Sequence, residues 1–216
     1  MATLDSFYPY ILPDVQGCPE PTIDVAIRSA AIEFCEKSLA FQRDLDPVTV
    51  VKNIIDYDLE PPDQQLVVRI MRMWFKGTEL HPVAPDFVSK PEIYNSLFSG
   101  ADKSASDPRH YIQKDERTFT LYPIPPDTVA NALTMRVALK PSRSATTIED
   151  DLFEEYAEVI AHGAKFRLLS MASKPWTNGP AASASLTLFN NGINAAMLRG
   201  YRGGTRAGLR VQMRSI

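Results

Sequence analysis

Cysteine is scarce in this 216-residue chain, with Cys18 and Cys35 its two examples. Two thiols cannot make a four-thiolate metal cluster. Cys35 falls on a helical apolar face and reads as a buried free thiol in preference to half of a disulfide. The three histidines, His81, His110 and His162, are dispersed, and none has a second His or Cys at metal-ligand spacing. The chain has no HExxH, CxxC or HxH, no GxSxG elbow, no P-loop and no dinucleotide glycine fingerprint. Gly200, Gly203, Gly204 and Gly208 lie among arginines and follow no strand, so they do not read as a phosphate cradle. No apolar run approaches the ~18 residues of a membrane span. The opening MATLDSFYPY lacks a basic n-region, so no signal peptide is expected and the chain should be made and kept in a cytoplasm. No cofactor or metal is expected.

The last absence is of one charge. From Val159 to Ile216 there is no Asp or Glu, while eight Lys and Arg remain. The first 158 residues hold the other fifteen basic residues and all 26 acidic ones, so a net charge of −3 divides into −11 and +8. Such polarity favours contact between unlike ends of neighbouring molecules, or with a charged partner. Hydrophobic content of 44% and charged content of 23% are those of an ordinary globular protein. The length allows one sizeable domain, or one core with a smaller insertion.

The strongest local signal is Ala145 to Trp176, read as an amphipathic helix centred on 149–172. Thr146 and Glu149 have capping-box spacing. Acidic residues Glu149, Asp150, Asp151, Glu154 and Glu155 open it and Lys165, Arg167 and Lys174 close it, the order that complements the helix dipole. Leu152, Phe153, Tyr156, Val159, Ile160, Gly163, Ala164 and Leu168 form its apolar stripe, and Pro175 is its expected stop.

Taken in order, residues 1–20 carry Pro9, Pro13 and Pro19 and read as an extended arm over a core. Thr22 can cap a helix to about Gln42, with Ile23, Ala26, Ile27, Ala30, Ala31 and Phe34 inward. From Pro47 the pattern turns β-like. The run 64–76 is ambiguous, with Leu66, Ile70 and Trp74 at helical spacing but β-formers throughout; we read a hairpin leading through Lys76 and Gly77 to Leu80–Val83. One or two helical turns are expected over 85–98 and a polar loop over Ser99–Pro108. Arg109–Gln113 and Thr118–Tyr122 flank a turn. Leu133, Met135, Val137 and Leu139 alternate with Thr134, Arg136, Ala138 and Lys140, the period of a half-buried strand ending at Pro141. A further helix is expected from Pro180 to Leu198. The reading is α+β: a helical bundle with a β-strand insertion between its first two long helices, an extended N-terminal arm and a C-terminal tail. Its segments are 1–46 (arm and first helix), 47–141 (β-rich insertion), 142–198 (bundle helices) and 199–216 (basic tail).

Two features invite chemistry. The Glu149–Glu155 cluster offers paired carboxylates, but a helix start explains it fully; Asp56 and Asp58 around Tyr57 call for the same restraint. Arg199, Arg202, Arg206, Arg210 and Arg214 step by 3, 4, 4 and 4, a drifting stripe if helical. Their glycines weaken any isolated helix. A solvated tail, phosphate contact and docking on an acidic protein surface compete, and a single aromatic, Tyr201, speaks against base stacking. Protein docking, with ordering on binding, is preferred.

The opening FYPYILPDVQGCPEPTIDVAIRSAAIEFCEKSLAFQRDLDP, the strand ending VALKPS and the block LFEEYAEVIAHGAKFRLLSMASKPWTN together resemble head-to-tail adaptor (connector) proteins of tailed bacteriophages, over about the first 45 residues and 109–177. The resemblance implies a virion protein at the head–tail junction, assembled in the host cytoplasm as a ring, usually of twelve subunits. It would sit between the portal and the tail or nozzle, its C-terminal segment reaching the portal. It would close the portal exit and give the tail a platform, with at most passing contact with packaged DNA and none with membrane. Arg199, Arg202, Arg206, Arg210 and Arg214 would be the portal-docking residues. Some adaptors of this broad type are credited with cell-wall hydrolysis, but no glycosidase carboxylate pair maps here, so the expectation is a non-enzymatic protein. The alternatives are a nucleic-acid-binding module using the same arginines and, behind it, a peptidoglycan hydrolase.

Overall fold

A computed structural model describes residues 1–84 and 107–202. The chain divides into two compact units, Met1–Phe41 with Lys140–Ile216, and Gln42–Leu139. The class is α+β, as the sequence pattern implies.

The first unit is mainly helical. Strand β1 (Ala2–Thr3) leads through a 3-10 turn at Leu4–Phe7 into α1 (Tyr8–Ile11). This corrects the extended arm. Phe7, Ile11 and Val15 recur every four residues and are fully buried, so the segment is an inward helical face. Pro9 sits in the first turn of α1, where a missing N–H costs nothing. The Phe7 ring meets Phe153 edge-on, with centroids 4.9 Å apart, and the Tyr8 hydroxyl donates to Asp24 at 2.8 Å. Burial and that carboxylate push the Tyr8 pKa up to about 12.

Helix α2 (Glu20–Ser38) starts two residues before Thr22, on an extended Pro19 with no side-chain cap. Its buried residues are those of the expected stripe, joined by Cys35 and Ser38. It ends four residues early because Leu39 takes a left-handed conformation (φ 51°) and its N–H closes on Cys35.

The capping box does not form. Thr147 and Ile148 are instead strand β10, paired antiparallel with β1, and helix α3 (Asp150–Leu169) opens on Glu149 without a side-chain cap. Pairing with β1 brings the Met1 ammonium to Asp150 at 2.6 Å, where it meets the acidic first turn. The helix is kinked at Tyr156 (φ −131°) and stops at Leu169, well short of Pro175. The Leu169 carbonyl accepts from Asn178 N–H, and Asn178 Oδ1 accepts from Ala181 N–H at 3.2 Å, capping the next helix. That helix, α4 (Gly179–Arg202), runs four residues past the expected Leu198.

Helix α3 packs against both α2 and α4, and α2 against α4. Phe34 on α2 is fully buried and tilts onto the Tyr156 ring, centroids 4.8 Å apart. Burial of such a side chain contributes about 1.5–3 kcal/mol. Glu33 accepts from both Lys37 and Arg167. Arg167 also donates to Gly163 O at 2.8 Å and Ser29 O at 3.5 Å, which ties α3 to α2.

The second unit holds two four-stranded sheets. Strands β2 (Gln42–Val50), β4 (Gln65–Phe75), β5 (Thr78–Glu79) and β9 (Val129–Pro141) form one, ordered β2-β9-β4-β5. Strands β3 (Asp56–Asp58), β6 (His81–Pro82), β7 (His110–Gln113) and β8 (Thr118–Tyr122) form the other, ordered β3-β8-β7-β6. The run 64–76 is therefore strand, turned into β5 by Lys76 and Gly77, both at positive φ, the conformation of a two-residue hairpin. Buried Val67, Ile70 and Met73 lie three apart, which is why the sequence reads ambiguously. In β9, Leu133, Met135, Val137 and Leu139 point inward as expected, and Ala138 is buried as well. The helical turns expected over 85–98 and most of the loop Ser99–Pro108 lie outside the described residues.

Candidate docking surfaces

Of the five arginines in the C-terminal stripe, two fall on α4, Arg199 and Arg202. Arg206, Arg210 and Arg214 lie outside the described residues. Arg199 reaches across to Glu155 on α3 at 3.0 Å, with both side chains well exposed. An exposed pair of this kind is worth ~0–1 kcal/mol. Near the end of α4, Arg199 thus presents an exposed guanidinium paired with a carboxylate of α3.

The acidic start of α3 divides by environment. Asp150 binds the N-terminal ammonium and Glu155 binds Arg199. Glu154 and Glu155 face solvent, so they do not flank a cleft as an acid–base pair on a bound sugar must. Burial, and then Glu155, raises the Tyr156 pKa. Asp56 accepts from Lys114 at 2.7 Å and Thr120 at 2.6 Å, and these two partners hold its carboxyl below the usual range.

The histidines are less scattered than the sequence implies. Parallel pairing of β6 with β7 sets His81 opposite His110, ring centroids 6.1 Å apart. A signal existed only in the register of a two-residue strand. Burial, with His81 beside it, lowers the His110 pKa, and burial also lowers that of the half-buried His162. Among the described residues no three His, Cys, Asp or Glu come together as a metal site, and no helix is long and apolar enough to cross a membrane.

The sequence reading missed a groove of about 420 Å³ in the β-rich unit. One wall is β2, the other is β3 with the segment leading into it, and Met135 of β9 contributes to the floor. Val51 and Ile54 beside it are 41% and 45% exposed. Four carboxylates line it, Asp46, Asp56, Asp58 and Glu60, and no cation does. Asp46 lies on the nine-residue edge strand β2 and Asp58 on the three-residue edge strand β3, a placement composition cannot reveal.

The described residues thus present an exposed ion pair at the end of α4 and an acidic groove in the β-rich unit. Residues 9–212 match the SU10 adaptor protein family, and the chain belongs to it. It is accordingly a structural phage adaptor, and its family is one of virion components and is not defined by an enzymatic activity. Membership implies association with portal and tail components. A comparison with curated proteins gives no match.

Proposed function

We propose that this chain forms a ring of twelve subunits beneath the portal, closes the portal exit after DNA packaging and offers a platform to the tail. Membership of the adaptor family across residues 9–212 carries the reading. The charge division supports it: a closed ring joins different faces of one subunit, and an acidic body with an acid-free C-terminal part has such faces. Assembly takes place in the host cytoplasm. The β-rich insertion supplies subunit or tail contacts, and Arg199, Arg202, Arg206, Arg210 and Arg214 dock on acidic portal surface, where forked guanidinium groups pair with carboxylates.

The test is a full-length variant with all five arginines changed to Gln, titrated against isolated portal rings. Loss of binding by about tenfold or more is expected, and unchanged affinity contradicts the docking role. Duplex DNA in the same assay separates phosphate binding, which would weaken steeply with salt without any portal.

A further inference from the structure

The groove of the β-rich unit has chemistry of its own. Asp56 is engaged by Lys114 and Thr120, but Asp46, Asp58 and Glu60 are exposed and form no ion pair with any described residue. Three carboxylates thus surround an apolar floor made by Leu45, Val48 and Met135. β2 and β3 are each the end strand of a sheet. Pro47 and two register shifts interrupt β2, devices that prevent continuous strand pairing at an edge. A guest in this groove must be recognised through side chains, by apolar groups on the floor and cations at the rim.

One segment of the same chain has that pattern. In Arg206-Ala207-Gly208-Leu209-Arg210-Val211-Gln212-Met213-Arg214 the apolar residues Ala207, Leu209, Val211 and Met213 alternate with Arg206, Gly208, Arg210, Gln212 and Arg214. In extended form it would show four apolar side chains on one face and three guanidinium groups on the other. We propose that the groove receives the 206–214 segment of a second copy of this chain. Charge complementarity selects it: nothing acidic follows Glu158, and the groove lining holds no Lys or Arg. Docking between copies also places the acidic body of one subunit against the basic end of the next, a head-to-tail contact between different faces of one subunit. The ring is taken from the proposed function, but the groove contact stands without the portal. The segment then has two acceptors, a neighbouring subunit before the portal arrives and the portal afterwards.

The test uses two full-length variants. The first carries Asp46→Asn, Asp58→Asn and Glu60→Gln, and the second carries Arg206→Gln, Arg210→Gln and Arg214→Gln. A fluorescent synthetic peptide of residues 203–216, titrated onto the second variant, should bind saturably. Adding the three groove substitutions should weaken binding by about tenfold or more, since three exposed charge pairs are lost. A scrambled peptide of the same composition should bind at least about tenfold more weakly. In sedimentation, a mixture of the two variants should contain a heavier species than either variant alone, because the first supplies a segment and the second a groove. No peptide binding, equal binding of the scrambled peptide, or indifference to the groove substitutions overturns the proposal. A mixture that shows no heavier species also overturns it, since the segment would then be serving its own subunit. None of these outcomes touches the portal-binding assay, so failure here and failure of the adaptor role are separable.

Discussion

The ring of Phe189 on α4 lies so close to Gly163 on α3 that a β-carbon at Gly163 would meet ring atom Cε2 at 2.7 Å. Helix α4 returns the arrangement, since a β-carbon at Gly192 would lie 2.5 Å from Val159 Cγ1. Two hydrogens, one on each helix, set the distance between them. Phe189 is 1% exposed, so its ring has no open space to enter. Gly163→Ala should therefore lower stability by about 1–2 kcal/mol in urea unfolding. Overpacking costs ~1–3 kcal/mol and is offset by up to ~1 kcal/mol of helix propensity. Adding Phe189→Leu should recover part of the loss, because the two positions are coupled.

Glu33 should make stability depend on acid. Burial works to raise its pKa, but Lys37 and Arg167 outweigh burial and hold it below the ordinary value. A carboxylate with a depressed folded pKa contributes stability above its unfolded pKa, and that contribution is lost as pH falls through the folded pKa. The Tm gap between wild type and Glu33→Gln should thus be widest at neutral pH and close below the usual carboxylate range. Arg167→Met should cost about 1–3 kcal/mol at pH 7, since it abandons Glu33 and two backbone carbonyls.

Cys35 should be chemically silent in the native protein. It is fully buried, and burial, with Glu36 nearby, pushes its thiol well above the ordinary range. Only the thiolate reacts with disulfide reagents. Labelling at pH 8 should leave Cys35 unmodified until the chain unfolds, whereas rapid labelling in the folded state would contradict its burial.

Glu155 and Arg199 should matter little to folding. Both are well exposed, so Glu155→Ala should change unfolding free energy by less than ~1 kcal/mol. Glu154→Ala and Glu155→Ala proteins should match wild type on peptidoglycan, and a loss of hydrolysis in either would restore the enzymatic alternative.

The helical core was legible because it obeys one period. Ile23, Ala26, Ile27, Ala30, Ala31 and Phe34 could be chosen by spacing, and they are buried. Leu133 to Leu139 were equally plain. Boundaries failed where a tertiary partner intervened: strand pairing of Thr147 with Thr3 removed the capping box, and the Leu169–Asn178 hydrogen bond stopped α3 before its proline. The N-terminal segment misled because its prolines were read as breakers, although Phe7, Ile11 and Val15 kept a helical interval. The groove was illegible because its carboxylates gather through the separate edges of two sheets. The arginines were visible by their spacing, but three of the five lie outside the described residues.

The central claim, a ring that docks on the portal through its basic end, is met most directly by one mass measurement. Portal rings mixed with excess full-length chain should gain the mass of twelve subunits, and the variant with all five arginines changed to Gln should add little or none. A portal ring whose mass does not change, or one that takes up the variant as fully as the wild type, would contradict it.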